Sequence, residues 1–340
     1  MMRSITPQVN CRNGFILTVS PSWLAPDMAR MESILLASTA GRFELLHELI
    51  QGLMEAGGKR LRPMLTILSA RLCGYQGEAH SGLAAVVECI HAATLLHDDV
   101  IDDSHLRRGR PTANDVWGNK TSILAGDFLL SQAFFYAVTY GSKDTLLALA
   151  EASSVIAEGE IIQLSHLRDL QMSEATYQQI IHAKTAILFA VACRIGGHIA
   201  GAEPVVCEQL AAFGNHYGFA FQMIDDILDY MAGDGVDGLG KEPGDDVREG
   251  KVTLPVILAY AKASTEEKQR LERIFVHQEV AAENFEFVVG LLKQYGIVAE
   301  ITRRIEARVS AALSILATFP GGEVANYLSH LLQQAGGRCS

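Results

Sequence analysis

The sequence predicts an all-α protein folded as a single large helical bundle, and three observations lead there. First, long stretches rich in Ala, Leu and Ile repeat apolar residues every three or four positions, as in "SGLAAVVECIHAATLLH", "LLALAEASSVIAEGEIIQL" and "YQQIIHAKTAILFAVACRIGGHIAG". That is the period of one helix face. Second, alternating strand patterns with hairpin signals are absent. Third, prolines fall where periodic stretches begin, at Pro63, Pro111, Pro204, Pro243 and Pro255, positions that tolerate a missing N–H and benefit from a fixed φ. About ten to twelve helices are expected, many longer than three turns.

The chain has 340 residues, of which 49% are hydrophobic and 20% charged, enough for a large core. No linker rich in Pro, Gly and Ser divides it and no fixed-period repeat recurs. Residues 1–21 read as a poorly structured leader, without the layout of a signal peptide, and residues 22–340 as one helical domain. No apolar run reaches the ~20 residues of a membrane span. The six cysteines (Cys11, Cys73, Cys89, Cys193, Cys207 and Cys339) form no C-x-x-C pair and are expected as free thiols in a reducing, cytoplasmic setting. A net charge of -11 argues against a nucleic-acid partner.

Against that background two acidic clusters stand out. "LLHDDVIDDSHLRRGRPT" contains Asp98, Asp99 and Asp102, and "FQMIDDILDYMAGDG" contains Asp225, Asp226 and Asp229. Each follows a strongly apolar stretch. In a helix, i and i+4 share a face, so Asp98 points with Asp102 and Asp225 with Asp229. Like charges at that spacing destabilise a helix unless a cation lies between them. Mg2+ is the natural candidate, taking a few carboxylate oxygens and completing its octahedron with water and phosphate. One such cluster is more often a solvated helix face; two of the same pattern are harder to dismiss. Asp103, Asp245 and Asp246 read as solvated charges.

Basic residues suggest what the metals hold. "GGKRLRPMLTILSA" sets Lys59, Arg60 and Arg62 beside Pro63 at a helix start, where anions are favoured and the arginine fork matches phosphate. "HLRRGRPT" adds Arg107, Arg108 and Arg110. "HAKTAILFA" carries Lys184 on an apolar helix, where snorkelling to the surface is the plain alternative. Lys241 and Lys251 flank part of a glycine-rich segment, Met231 to Gly250, that reads as a candidate lid. Neither G-x-x-x-x-G-K-[ST] nor a G-x-G-x-x-G behind a strand is present. The pattern points to a polyphosphate held outside any standard nucleotide fold.

Together these stretches resemble the trans-isoprenyl diphosphate synthases, or polyprenyl synthetases. The likeness runs roughly from Ser33 to Thr318. It rests on "GGKRLRP", "ECIHAATLLHDDVIDDSHLRRGRPT", "EGEIIQL", "AKTA" and "FQMIDDILD", followed by "LGKEPGDDVREGKVTLP", in the family's order. A lone D-D-x-x-D says little, whereas the ordered set is specific. The resemblance implies a bundle of the isoprenoid-synthase type around a central apolar cavity. It implies Mg2+-dependent condensation of isopentenyl diphosphate onto an allylic diphosphate primer, with three Mg2+ ions at the allylic diphosphate. Asp98, Asp102 and Asp225 would ligate the metal, and Asp99, Asp226 and Asp229 would complete or support the clusters. Lys184, Lys241 and Arg107 would contact the allylic diphosphate. Lys59, Arg62, His91 and Arg108 would hold isopentenyl diphosphate, with Phe221 lining its side. Thr185 and Gln222 would lie near the reacting carbons, and Gln163 would face the cavity. His91 enters only through its place in the block, since a lone histidine on an apolar helix is ordinarily core. His97 stays outside the site.

In this family the bulk behind the first aspartate motif sets product length. Here Thr94 and Ala93 stand four and five residues before Asp98, with Ile90 and Val87 one and two turns deeper at about 1.5 Å per residue. None is large. Phe128, Phe134, Phe135 and Leu164 are candidates for the floor. The details most resemble bacterial long-chain synthases of the octaprenyl and decaprenyl type, which make quinone side chains. The resemblance further implies a homodimer, and a long product implies transient membrane contact at release. A short-chain farnesyl or geranylgeranyl synthase and a regulatory subunit of a heteromeric synthase remain alternatives. A terpene cyclase would need neither "GGKRLRP" nor the second cluster.

Overall fold

In the computed structural model, residues 21–39, 43–55, 58–107, 109–231, 244–279 and 281–336 are described. The chain opens with α1 (Ala25–Ala37), α2 (Glu44–Glu55), α3 (Leu61–Leu72) and α4 (Ala79–Ile101). A short hairpin, β1 (Leu106–Arg107) and β2 (Arg110–Pro111), leads to α5 (Ala113–Trp117), α6 (Asn119–Tyr140) and α7 (Lys143–Ser165). Next come α8 (Glu174–Ile181), a π-helical turn (His182–Ala186), α9 (Ile187–Ile199) and α10 (Pro204–Met231). The remainder is α11 (Asp245–Glu249), α12 (Leu254–Lys262), α13 (Thr265–Phe275), α14 (Ala282–Gln294), α15 (Ile297–Leu316) and α16 (Glu323–Gly336). The all-α expectation holds, with more and shorter helices than the periodicity suggested. Pro63 and Pro255 do sit in first turns and Pro204 opens α10, but Pro111 lies in an exposed strand, where its missing N–H is equally harmless.

Caps mark several starts. Ser142 accepts from the Thr145 N–H and Ser173 from that of Thr176, and Ser264 with Glu267 forms a capping box on α13. Helix α4 is the hub: it is buried without a break from His80 to Ile90 and packs between α3, α6 and α9. One apolar core surrounds it, with Phe189, Phe213 and Tyr217 among its largest fully buried side chains. A second core gathers the end of α10 with α12 to α15. Helix α10 belongs to both, passing from the first core at Tyr217 to the second at Phe219. Among the described cysteines, Cys89, Cys193 and Cys207 are buried and Cys73 half-buried, all free thiols. Residues 1–20, most of the expected leader, lie outside the described residues, as do Cys11 and Cys339.

One expectation needs correction. Three helical stretches are long and apolar enough to cross a membrane by length and composition: Ala79–Ile101, Asn119–Tyr140 and the continuous Glu174–Ile199. Their windows are sparse in charge without being uninterrupted apolar runs. The first and third are 72% and 78% buried inside the bundle, and α6 only 39%. Much of the apolar surface of α6 therefore faces outward.

Candidate active site

Both aspartate clusters occupy helix C-termini, the negative end of the macrodipole, where carboxylates are least welcome. Asp98 and Asp99 are in the last turn of α4 and Asp102 is its C-cap, its N–H donating to the Asp98 carbonyl at 2.8 Å. Cations answer them from the opposite walls. Lys184 Nζ lies 3.6 Å from Asp98 Oδ2 and 2.9 Å from Glu160 Oε1 of α7. Lys251 Nζ lies 2.8 Å from Asp102 Oδ2 and 2.6 Å from Glu249 Oε2. Burial opposes the Lys251 ammonium, but Asp102 and Glu249 outweigh it and hold its pKa above the ordinary lysine value. Glu160 is raised, first by burial and then by Asp98 and Asp102, against the pull of Lys184.

The middle aspartates play a different part. Asp99 is 3% exposed and accepts from Arg107 Nε at 2.9 Å, with Nη2 at 2.8 Å. Arg107 thus ties the β1–β2 hairpin to α4, where a diphosphate contact was expected. Burial raises the Asp99 carboxyl despite that partner. Asp226 is likewise buried, accepting from Tyr177 Oη at 2.5 Å and from Gln222 Nε2 at 2.8 Å. Gln222 Oε1 in turn accepts from the Thr185 hydroxyl at 2.7 Å. Burial raises Asp226 first, and Asp246 adds to it. Asp229 caps α11, its two oxygens accepting from the N–H groups of Asp245 and Asp246 at 3.2 Å each. It couples α10 to the turn that delivers Lys251.

The π-helical turn carrying Lys184 and Thr185 is held by close approach on two sides. A Cβ on Gly159 of α7 would meet Ala183 Cβ at 2.3 Å, and one on Gly218 of α10 would meet Ala186 Cα at 2.5 Å. Only glycine lets the turn press against both helices, and such turns recur at functional sites. Gln163 is half-buried one turn beyond Glu160 on α7, the same side of the helix.

The basic rim lies at the start of α3. Arg62 Nη1 is 3.2 Å from His91 Nε2, and its guanidinium stacks over Phe189 at 4.3 Å from the ring centroid. Burial pulls Arg62 down to about 10, against the attraction of Glu88 and Asp225. Phe221 packs on Phe189 with centroids 5.7 Å apart. Lys59, three residues before Arg62 in the chain, is half-buried. Arg108 and Lys241 lie outside the described residues, as does most of the expected lid.

Behind Asp98, Ala93, Ile90 and Val87 are all buried in the main core. Thr94 is half-buried and donates its hydroxyl to the His91 carbonyl at 2.8 Å. The floor candidates divide. Phe128 packs half-buried against the core, but Phe134, Phe135 and Leu164 are 38%, 62% and 49% exposed. Those three lie on the outer faces of α6 and α7 and do not floor the interior of this chain. His97 also faces α6, close to the Ile123 carbonyl and Asp127. Glu160 and Tyr177 were not singled out from the sequence, and Lys251 was named there only as a basic residue flanking the glycine-rich segment, with no assigned role. The signal for Glu160 and Lys251 was their place in "EGEIIQL" and "REGKVTLP"; Tyr177 has none.

Among the described residues, no three Asp, Glu, His or Cys side chains converge closely enough to hold a metal ion. Hard oxygen donors on facing helix ends suit Mg2+ that takes its remaining ligands from phosphate and water. They do not suit a resident ion caged by protein alone.

Known proteins match this arrangement. A family model described as polyprenyl synthetase covers residues 43–292. The chain is 40% identical over 313 residues to octaprenyl diphosphate synthase of Escherichia coli (strain K12), spanning 91% of this chain and 96% of that protein. A decaprenyl diphosphate synthase structure from Rhodobacter capsulatus superposes with a TM-score of 0.89 at 40% identity, covering 94% of this chain and 98% of that one. A polyprenyl synthase from Caulobacter crescentus CB15, complexed with calcium and isoprenyl diphosphate, gives 0.89 and 40% over 94% and 96%. With two aspartate-ended helices and lysines set against the carboxylates of the first, this chain is an enzyme that belongs to the polyprenyl synthetase family.

Proposed function

We propose that the protein is a trans-polyprenyl diphosphate synthase that builds a long all-trans chain, of hexaprenyl to decaprenyl size, for quinone side chains. The observation that carries the length is the absence of bulk behind Asp98, at Ala93 and Thr94. The octaprenyl and decaprenyl products in the names of its relatives support it. The substrates are isopentenyl diphosphate and an allylic diphosphate.

In this reading Asp98, Asp102 and Asp225 would hold Mg2+, three ions in all, with the allylic diphosphate. When bound, the metal neutralises charge gathering on the leaving diphosphate. Lys184 and Lys251 leave their carboxylate partners for diphosphate oxygens, joined by Lys241. The allylic C–O bond breaks with its electron pair going to diphosphate. The apolar wall of α4 keeps water from the cation. Lys59, Arg62, His91 and Arg108 fix isopentenyl diphosphate so that its double bond attacks the allylic carbon. A proton then leaves to the departed diphosphate, next to Thr185 and Gln222.

The exposed apolar faces of α6 (Leu124, Phe135, Val138) and α7 (Leu147, Ile161, Leu164) support a homodimer, since a patch of this kind on a monomer ordinarily marks an interface. We further propose a cytoplasmic enzyme with transient membrane contact at product release. The deciding test incubates the protein with Mg2+, labelled isopentenyl diphosphate and farnesyl diphosphate, then chromatographs the dephosphorylated products. A ladder ending well beyond geranylgeranyl is expected. Arrest at geranylgeranyl would reject the long-chain reading, and no elongation with any primer would favour a regulatory subunit.

A further inference from the structure

Glu88 is a carboxylate in the unbroken buried stretch of α4, 3% exposed, ten residues before Asp98. Nothing in the proposed reaction uses it. A charge there is costly unless it is paired and hydrogen-bonded, so its partners matter. One is direct: Arg60 Nη1 donates to Glu88 Oε1. The other nitrogen of that fork, Nη2, donates to the Met54 carbonyl at 3.0 Å. Arg60 therefore bridges the end of α2 to the middle of α4.

The backbone at Arg60 is unusual as well. It is the N-cap of α3 with φ 46° and ψ 37°, a left-handed conformation that non-glycine residues seldom adopt. Such a conformation persists where its surroundings over-determine it, and here the side chain is held at both ends. The strained turn lies between Lys59 and Arg62. On the α4 side, Glu88 and His91 are three residues apart and share a face, and His91 meets Arg62. After burial, Glu88 is the strongest charge acting on Arg62, ahead of Asp225.

We propose that Glu88 is a positioning residue: through Arg60 it sets the turn that presents Lys59 and Arg62, and so it governs capture of the diphosphate of isopentenyl diphosphate. This rests on the reading above, that Lys59, Arg62 and His91 hold that substrate. Arg60 is then an internal strut with both terminal nitrogens engaged, and is not a third phosphate ligand. The role predicts a specific kinetic signature, because the allylic diphosphate sits at the other rim, on Asp98, Asp102 and the lysines.

The experiment measures steady-state constants for both substrates, together with the Kd of isopentenyl diphosphate for the enzyme without primer. The proteins are wild type, E88Q, R60M, R60K, the double variant R60M/E88L and, as a reference, R62M. For E88Q and R60M we expect KM and Kd for isopentenyl diphosphate to rise roughly tenfold, about 1.4 kcal/mol. The allylic KM should stay unchanged and kcat within about twofold, since the binding lost is uniform, equal in the ground and transition states. R60K should recover part of the loss. In the double variant no charge is left buried, so its effect should fall below the product of the two singles. Equal losses in both substrates' KM, or an unchanged isopentenyl Kd in E88Q or R60M, would overturn the proposal. If E88Q does not fold, R60M and the double variant decide it on the same constants. R62M separates the two readings: an isopentenyl Kd unmoved by R62M removes the substrate assignment itself.

Discussion

Lys251 Nζ stands 2.8 Å from Asp102 Oδ2, although the two residues are 149 positions apart. With Lys184 on Asp98, both aspartates of α4 expected to face the metal, Asp98 and Asp102, are met by a lysine from another wall. Both members of the Lys251 pair are less than a fifth exposed, so removing one leaves a poorly solvated charge. K251M is expected to lose about 2 kcal/mol of stability in urea titration of the metal-free protein. Mg2+ alone should then raise its Tm more than it raises that of wild type, because the metal no longer competes with the ammonium for Asp102. Equal Mg2+ shifts would show that Lys251 does not guard this carboxylate.

Product length should respond to bulk one turn behind Asp98. Thr94 lies about 6 Å down the helix and is already half-buried. T94F is expected to truncate the product to about geranylgeranyl size or shorter while the first condensation continues. An unchanged ladder would place the limit elsewhere.

The stability of the metal-free protein should depend on pH through Asp226. Burial, and then Asp246, raises its carboxyl, while Tyr177 and Gln222 oppose the shift by donating to it. The folded state therefore keeps a proton that the unfolded chain gives up near its ordinary value, about 4. Stability from this group is complete below that value and is lost as pH rises toward the raised one. Unfolding free energy should fall between about pH 5 and 8 in wild type, and D226N should flatten the slope. Parallel slopes would mean that the carboxyl titrates normally.

Gly218 tests the clamp on the π-helical turn. A Cβ there meets Ala186 backbone at 2.5 Å, whereas one on Gly290 of α14 meets nothing within 4 Å. G218A should cost about 1–3 kcal/mol and lower kcat at least about tenfold by displacing Lys184 and Thr185. G290A should leave kcat unchanged. If both variants behave alike, the close approach is not what positions the turn.

The outward face of α6 predicts assembly. Phe135 is 62% exposed on a helix only 39% buried over its apolar window. F135E is expected to lower the solution mass by sedimentation, with secondary structure retained. An unchanged mass would leave that face without the proposed partner copy.

By itself the sequence determined the helical class and the ends on which the chemistry sits. Apolar spacing is a local property, and so is the crowding of Asp98 with Asp102 or of Asp225 with Asp229; both can be read within a few turns of one helix. It also marked Lys184, Thr185 and Gln222, because their motifs are short. The tertiary structure alone decided what each charge meets. Asp99 and Asp226 look like their neighbours in the string, but burial and partners 8 and 49 residues away turn them into supports. Lys251 reaches Asp102, Arg60 reaches Glu88, and Phe135 turns away from the cavity it was a candidate to close, because packing of α4 against α6 and α9 sets which face is inside. Pair energies and desolvation depend on distances between segments far apart in the chain, and a pattern of residue types carries no such distances.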